Sequence, residues 1–315
     1  MKFFKVFNLW VLLPAMLIIG KGYSQDKVES VKSSSLVCKK DPKNPEQLLC
    51  ENQAPKLAEG EILLTPENVI TLRGEINATM ASKFVKKMQE LNLNDSVDKI
   101  YVFVRSPGGS IFAGDTISHT ILSSKKEVVM IVDFAASMAF HISMHGDKRY
   151  ILPNGVMMQH HASGGVGPAE FPNIDSQWKW LKRKVYKMGV FDAEKCGVDK
   201  RKFFKLIDRD LWLNGDEAVS LGCMNQVAKK VSCSKELQQK TETEELEVMV
   251  FTIKIEWAAC PMEPYPRKWE VASKFTNYLN VSDMDQKYIS NYMKMISNPL
   301  QYFQLHGSFD VKGEN

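Results

Sequence analysis

Apolar and polar positions change their spacing several times along the first two thirds of the chain. Residues 61–76 hold two short apolar runs on either side of a Pro-Glu-Asn turn, which predicts two strands. The next stretch has apolar residues at helical spacing, namely Met80, Phe84, Val85, Met88 and Leu91. A strand over 99–104 then ends at a Ser-Pro-Gly-Gly turn, and residues 114–124 again show one apolar helical face.

The same alternation continues through the centre of the chain. Residues 128–136 are a near-continuous apolar run that predicts a strand, and 137–145 are predicted to be helical. Strands and then long helices are predicted in turn at 148–153, 156–161, 176–188 and 200–208. Apolar runs this continuous are typical of strands buried on both faces, so the sequence predicts a largely parallel, layered α/β fold.

The character of the sequence changes at residue 234. Residues 234–245 are charged and lack large apolar side chains, which indicates a domain boundary. Beyond it, residues 250–257 alternate as a strand does, whereas 269–279 and 284–296 show helical spacing. We therefore expect a C-terminal α+β extension over 234–315, of unknown role.

The first 24 residues predict export. Lys2 and Lys5 precede an apolar run that reaches Gly20, and small and polar residues follow, with cleavage expected after Ser24. The alternative is an uncleaved membrane anchor, although the apolar stretch is short for a membrane span. Residues 25–56 are polar and are expected to form a linker. The exported protein would be periplasmic or secreted.

The net charge argues against a nucleic-acid partner. The chain has 41 Lys and Arg residues against 37 Asp and Glu, a formal charge of +4. The leader carries Lys2, Lys5 and Lys21 and no acidic residue, so the processed chain is near +1. A surplus this small does not supply the basic surface that nucleic acids require.

Six cysteines permit disulfides in an exported chain, although six allow 15 pairings. Cys38 and Cys50 flank a short polar loop and are the best candidates for a pair. For Cys196 and Cys223 the alternative is that they are buried free thiols. No Cys-x-x-Cys or His-Cys spacing indicates a zinc site, and neither a metal nor another cofactor is expected.

Three stretches carry candidate chemistry, each at the end of a predicted strand. Ser137 stands where a strand gives way to a helix, whose free N–H groups favour a developing oxyanion; the alternative is an ordinary helix cap. The Ser106–Ser110 turn contains two adjacent glycines, which let the backbone present N–H groups to a ligand. His160 and His161 should face opposite sides of a strand, so only one of them can face Ser137 as a general base.

Four motifs, in this order, resemble those of the ClpP-type serine peptidases. They are YVFVRSPGGSIFAGDTI, FAASMAF, LPNGVMMQHHASGG and DRDLWLNGDEAVSLGCMNQV, and the resemblance covers residues 61–231. It implies a ClpP/crotonase-like ββα spiral fold for a peptidase domain over 57–233. The helix-rich segment between the last two motifs corresponds to the part that the family uses to join two rings.

The resemblance also implies a catalytic triad in the chain order Ser, His, Asp. Ser137 matches the family's nucleophile, His160 its general base and Asp210 the acid that orients the imidazole. These positions are separated by 23 and 50 residues. Gly109 and Met138 match the two backbone N–H donors of the oxyanion hole.

The resemblance implies a serine endopeptidase that acts on peptides or unfolded protein segments and assembles as a homo-oligomeric ring. The family works with an ATP-driven unfoldase, but export would separate this chain from ATP, so no Clp-type ATPase partner is expected. Two residues depart from the family pattern. His161 is a second candidate for the base, and Asp208 is a rival to Asp210.

Three other functions are alternatives to this interpretation. A peptidase of the signal-peptide-peptidase type would share the spiral fold but use a Ser–Lys dyad. An enzyme of the acyl-CoA-handling crotonase branch would use a backbone oxyanion hole without a serine nucleophile. A non-catalytic scaffold or binding protein would keep the fold alone.

Overall fold

The computed structural model describes residues 36–41, 44–52, 61–164, 171–248 and 251–273. The predicted leader over 1–24 lies outside these residues, as do parts of the predicted linker. The chain divides into two compact units, Met1–Lys56 and Leu57–Asn315.

The first unit contains a pair of antiparallel strands, β1 (Leu36–Asp41) and β2 (Asn44–Asn52). They form where the sequence predicted a polar linker. Cys38 lies opposite Cys50 in the register of this pair. The disulfide between these two cysteines stays a prediction.

The second unit begins with strands and helices in alternation, as the apolar spacing predicted. Its first eight elements are β3 (Glu61–Leu64), β4 (Val69–Arg73), α1 (Ala78–Asn92), β5 (Lys99–Ser106), α2 (Ile111–Leu122), β6 (Glu127–Ala136), α3 (Met138–Ser143) and β7 (Lys148–Gln159). The next six elements are α4 (Phe171–Lys195), α5 (Lys200–Ile207), β8 (Leu211–Asn214), α6 (Gly215–Ser220), β9 (Gln226–Val227) and β10 (Lys230–Cys233).

The main sheet has the strand order β4-β5-β6-β7-β8, with β9 paired to β7. Strands β4 to β7 run parallel, and β8 is antiparallel to β7. Nearly every residue of β5 and β6 is buried, which agrees with their continuous apolar runs. The two strands predicted at 148–153 and 156–161 form one strand, β7. The pairing of β6 with β7 shifts register between Val132 and Phe134 of β6. Both predicted runs therefore pair with β6 along one continuous strand.

Helices α1 and α2 cover one face of this sheet and form the larger core with it. Phe84 and Met88 of α1 and Ile117 of α2 are buried in one cluster with the sheet residues Val102 and Met130. The helices begin at side-chain caps, because Asn77 accepts a hydrogen bond from the N–H of Met80 and Ser110 accepts one from that of Ala113. Because β4 to β7 run parallel, their carboxyl ends lie at the same edge of the main sheet.

The strands β3 and β10 pair in parallel and form a second, smaller sheet. Its buried side chains form a separate apolar cluster with Phe103 and Ile131 of the main sheet. Ala259 and Cys260, from the C-terminal extension, belong to the same cluster. The described part of the extension is therefore packed against the α/β core.

The C-terminal extension contains α7 (Lys235–Gln239) and an antiparallel sheet of the strands β11 (Thr241–Val248), β12 (Phe251–Ala258) and β13 (Lys268–Ser273). The charged segment 234–245 thus folds into α7 and part of β11. The prediction of a helix over 269–279 is wrong for its first residues, because Trp269–Ser273 pair with β12. Pairing with an available strand edge overrode the weak helical spacing. The helix predicted at 284–296 lies outside the described residues.

Two disulfides are present in the second unit. Cys196 at the end of α4 is joined to Cys223 after α6, and Cys233 at the end of β10 is joined to Cys260. The alternative of free thiols at Cys196 and Cys223 is therefore wrong. Disulfides persist in oxidising compartments, so the pair indicates an extracytoplasmic environment. Across the part of the chain that the structure describes, no helix combines the length and apolar character needed to span a membrane.

Candidate active site

Ser137 lies at the turn between β6 and α3. Its backbone has φ 54°, in the left-handed region that residues other than glycine rarely adopt. Its N–H donates to the carbonyl of Met158, which ties the turn to β7 at 2.9 Å. The side chain makes no capping hydrogen bond to α3, so it does not serve as the ordinary cap that the sequence offered as an alternative.

The hydroxyl of Ser137 meets the imidazole of His160. Ser137 Oγ and His160 Nε2 are 2.8 Å apart, within hydrogen-bond distance. His160 is the first residue after β7, whose neighbour β6 leads directly into Ser137. His161 faces elsewhere, since its Nε2 lies 2.7 Å from Asp208 Oδ1. The structure thus brings His160, and not His161, to the serine.

The surroundings of His160 favour its neutral form. Burial lowers the pKa of the His160 imidazole below its usual value, the Asp210 carboxylate opposes this by raising the pKa, and His161 lowers it further. A neutral imidazole can accept a proton from the serine hydroxyl, which a charged one cannot. His160 is therefore available as a base at neutral pH.

Asp210 lines the same cavity as Ser137 and His160, directly before β8. Among the residues that the structure describes, no hydrogen bond joins its carboxylate to His160, although its charge acts on the imidazole. Asp210 has φ 53° and is, with Ser137, one of the two described non-glycine residues with positive φ. Strained backbone of this kind is concentrated at functional sites.

Two residues with backbone N–H groups that are free in the described part of the chain line the same cavity as Ser137. Gly109 and Met138 both line it, and among the described residues neither N–H donates to a protein acceptor. The neighbouring Gly108 has φ 96° and a Cβ there would lie 2.8 Å from the nitrogen of Met138, so the two turns approach closely only because this residue is glycine. The arrangement can stabilise negative charge that develops on a bound carbonyl.

The cavity has a volume of about 440 Å³. Much of its wall is apolar and comes from the start of α2 and from the helices α4 and α5, with the side chains of Ile111, Val185, Met188, Phe203, Phe204 and Ile207. A volume of this order accommodates a few side chains of an extended ligand. Within the described residues, no group of three or more His, Cys, Asp or Glu side chains could hold a metal ion.

Three further polar residues, which the sequence did not mark, line the cavity. His141 of α3 and Asp192 of α4 are buried and joined by a 2.6 Å hydrogen bond from Nδ1 to Oδ1. Gln159, the last residue of β7, donates from Nε2 to the other oxygen of Asp192 at 2.8 Å. His141 could have been noticed, because it lies one helical turn after Ser137. Nothing in the sequence marks Asp192 within its long helical pattern.

Comparisons with known proteins identify what this chain is similar to. The family model described as Clp protease matches residues 58–231, more than half of the chain. The chain is 34% identical to the "ATP-dependent Clp protease proteolytic subunit 3" of Synechococcus sp. strain CC9902, over 51% of this chain and 82% of that protein. It is 29% identical to the "ATP-dependent Clp protease proteolytic subunit 2" of Tropheryma whipplei strain Twist, over 52% of this chain and 92% of that protein.

Proposed function

Because this chain belongs to the Clp protease family, we propose that it is an ATP-independent serine endopeptidase with Ser137 as nucleophile and His160 as general base. The observation that carries the proposal is the 2.8 Å contact between Ser137 Oγ and His160 Nε2, inside a cavity and at the start of a helix. A nucleophile and its base within hydrogen-bond reach are the defining pair of this chemistry.

The proposed reaction follows from the positions of these groups. Ser137 Oγ attacks the carbonyl carbon of a bound peptide while its proton passes to His160 Nε2. The carbonyl oxygen becomes an oxyanion, and the N–H groups of Gly109 and Met138 donate to it. The imidazolium then gives its proton to the leaving amine, the C–N bond breaks and an acyl-enzyme remains. Water, deprotonated by His160, attacks the acyl-enzyme and releases the second product and the serine.

Asp210 is proposed to hold His160 in the tautomer that has its proton on Nδ1. Its charge already acts on the imidazole, and it lines the same cavity. A small approach of the two side chains on substrate binding would complete the hydrogen bond, as catalytic hydrogen bonds are often long in free enzymes. This position favours Asp210 over Asp208, whose carboxylate binds His161.

We propose peptides or unfolded protein segments as substrates and a homo-oligomeric ring as the assembly. The two relatives are named as proteolytic subunits of an ATP-dependent protease. ATP independence is proposed for this chain because its disulfides and its predicted leader both indicate export, away from cytoplasmic ATP. A Clp-type ATPase would then have no access to it.

A fluorophosphonate probe tests the nucleophile. The purified oxidised protein should be labelled, and Ser137→Ala should abolish labelling and lower peptide hydrolysis by at least about 10³-fold. Both assays are run without nucleotide. Labelling that survives Ser137→Ala would reject Ser137 as nucleophile, and hydrolysis that needs ATP and an unfoldase would reject ATP independence. A folded wild-type protein that neither labels nor hydrolyses peptides would identify an inert scaffold.

The Ser–Lys dyad has no support in the described part of the site. No described lysine lines the cavity that holds Ser137, whereas His160 lies within 2.8 Å of the serine oxygen. Loss of activity in His160→Ala, with activity kept when individual lysines are changed, is the expected result. Acyl-CoA binding by the purified protein would instead favour chemistry of the crotonase type.

A further inference from the structure

A buried carboxylate in the wall of the cavity is connected to both members of the proposed Ser–His pair. Asp192 of α4 is 1% exposed, and a charge buried to this extent needs polar partners. Its two oxygens accept hydrogen bonds from His141 Nδ1 at 2.6 Å and from Gln159 Nε2 at 2.8 Å. Each of these partners belongs to a different element, α3 and β7, so the carboxylate links three elements.

Each partner of Asp192 is also bonded to one member of the pair. The side-chain oxygen of Gln159 accepts from the backbone N–H of His160 at 3.1 Å. The backbone N–H of His141 donates to the carbonyl of Ser137 at 3.2 Å, within the first turn of α3. Together with the Ser137–His160 contact, these bonds close a ring that passes through Asp192, which we call the Asp192 ring.

The Asp192 ring connects a residue just beyond the end of a strand to a residue just before a short helix. The ladder between β7 and β8 ends at Gln159, which pairs with Leu211, so His160 is the first residue outside the sheet. Helix α3 has only six residues, and short helices gain little stability from their own hydrogen bonds. The nucleophile thus directly precedes a short helix and the base directly follows the end of a ladder, and Asp192 is connected to both.

We propose that Asp192, acting through His141 and Gln159, is a positioning residue that fixes the separation of Ser137 and His160. This role rests on the proposed peptidase function. Asp192 accepts hydrogen bonds at both oxygens, which an amide cannot do. In Asp192→Asn, the single amide oxygen can accept from only one of the two present donors, so either the His141 imidazole changes tautomer and accepts at Nδ1, or Gln159 reverses its amide and points a donor at the N–H of His160. In both cases the two bonds lose the carboxylate charge that strengthens them.

The test compares turnover by folded protein among matched variants. In Asp192→Asn, kcat for peptide hydrolysis and the rate of fluorophosphonate labelling should both fall about 10- to 100-fold, because small displacements of reacting groups cost rates of this order. KM should change by less than about threefold, because the apolar walls of the cavity are retained. Gln159→Met removes the bonds of Gln159 to Asp192 and to His160 but keeps the His141–Asp192 bond, and it should cause a smaller loss of kcat in the same direction.

Arg149→Met is the control for damage to the fold. Arg149 is also buried, and it donates to the carbonyls of Cys223 and Lys195, outside the Asp192 ring. It should lower the midpoint of thermal unfolding but leave kcat of the folded protein within about twofold. If Asp192→Asn is insoluble, Gln159→Met alone shows whether Asp192 positions the Ser–His pair or only stabilises the fold. This variant leaves the His141–Asp192 bond in place.

Three results would overturn the positioning role. Wild-type kcat in folded Gln159→Met would show that the connection to His160 has no effect. A change in KM alone in Asp192→Asn would show that Asp192 contacts the substrate, since it lines the cavity, instead of positioning the pair. An unreactive wild-type protein would refute the peptidase function itself, and the positioning role with it. The first two results would leave the peptidase function intact.

Discussion

Two histidine–aspartate pairs adjoin the cavity and differ mainly in their exposure to solvent. His141 and Asp192 are 2.6 Å apart with side chains 6% and 1% exposed, whereas His161 and Asp208 are 2.7 Å apart with side chains 50% and 62% exposed. Nearly equal distances therefore have different consequences. An exposed pair is screened by water and ions, but a buried pair must satisfy each polar atom within the protein.

Only one of two adjacent histidines contacts Ser137, and the two pairs lie on either side of it. His160 lies between the two pairs and belongs to neither. Gln159, on one side of it, is bonded to the buried Asp192, and His161, on the other side, is bonded to the exposed Asp208. The buried bond reaches the backbone N–H of His160 through Gln159, whereas the imidazole of His161 lies beside Asp208 and not beside the serine.

The largest expected effect separates the two adjacent histidines. His160→Ala should lower kcat/KM for peptide hydrolysis by at least about 10³-fold, because it removes the base from Ser137. His161→Ala should lower it by no more than about threefold, because it removes an exposed pair. Steady-state kinetics on both variants, with circular dichroism to verify folding, measure the difference. Activity lost in His161→Ala but kept in His160→Ala would show that the other imidazole is the base.

A second expected effect concerns fold stability and compares the two pairs directly. His141→Phe removes one partner of the buried Asp192 carboxylate and should lower the free energy of unfolding by about 3 kcal/mol or more. Asp208→Asn should change it by less than about 1 kcal/mol, because exposed pairs contribute little. Urea denaturation of the oxidised protein provides both values. Equal losses in the two variants would mean that burial does not distinguish the pairs.

The smallest expected effect is a displacement of the pH profile. Since burial lowers the pKa of His160, the acid limb of kcat/KM should lie below the ordinary histidine value of about 6.5. His161→Gln removes a group that lowers the pKa of His160, so the acid limb should move to higher pH. Asp210→Asn removes a group that raises this pKa, so the limb should move to lower pH.

The pH profiles of the two variants check each other. Asp210→Asn should also reduce the rate, by less than His160→Ala does, because it disturbs only the orientation of the imidazole. The position of the limb can still be read from the remaining activity. Displacements of both variants in the same direction would contradict the assigned influence of Asp210 and His161 on His160.

Local patterns in the sequence predicted the elements that hold the candidate site. The run of apolar residues before Ser137 predicted β6, because burial on both faces of a strand is written in neighbouring residues. His160 and His161 contact different partners, as predicted, although β7 ends at Gln159 and the alternation of a strand does not extend to them. Asp210 was predicted from the resemblance alone, because it lies 50 residues from His160 and no local pattern relates the two.

Contacts between distant residues were outside the reach of the sequence. His141 and Asp192 are 51 residues apart, and either one alone is an ordinary polar residue in a helical pattern. Six cysteines allow too many pairings for Cys196–Cys223 and Cys233–Cys260 to be chosen. Strand β13 was missed because its pairing depends on the edge of β12, and propensity in strands is strongly dependent on context.

The positive φ of Ser137 sets a limit on how stable this protein can be. A non-glycine residue in that region costs about 1–3 kcal/mol, and a glycine would occupy it without steric conflict. Ser137→Gly would relieve this strain and remove the hydroxyl at the same time. The turn therefore sets the proposed chemistry against stability, because the residue that would relieve the strain carries no hydroxyl.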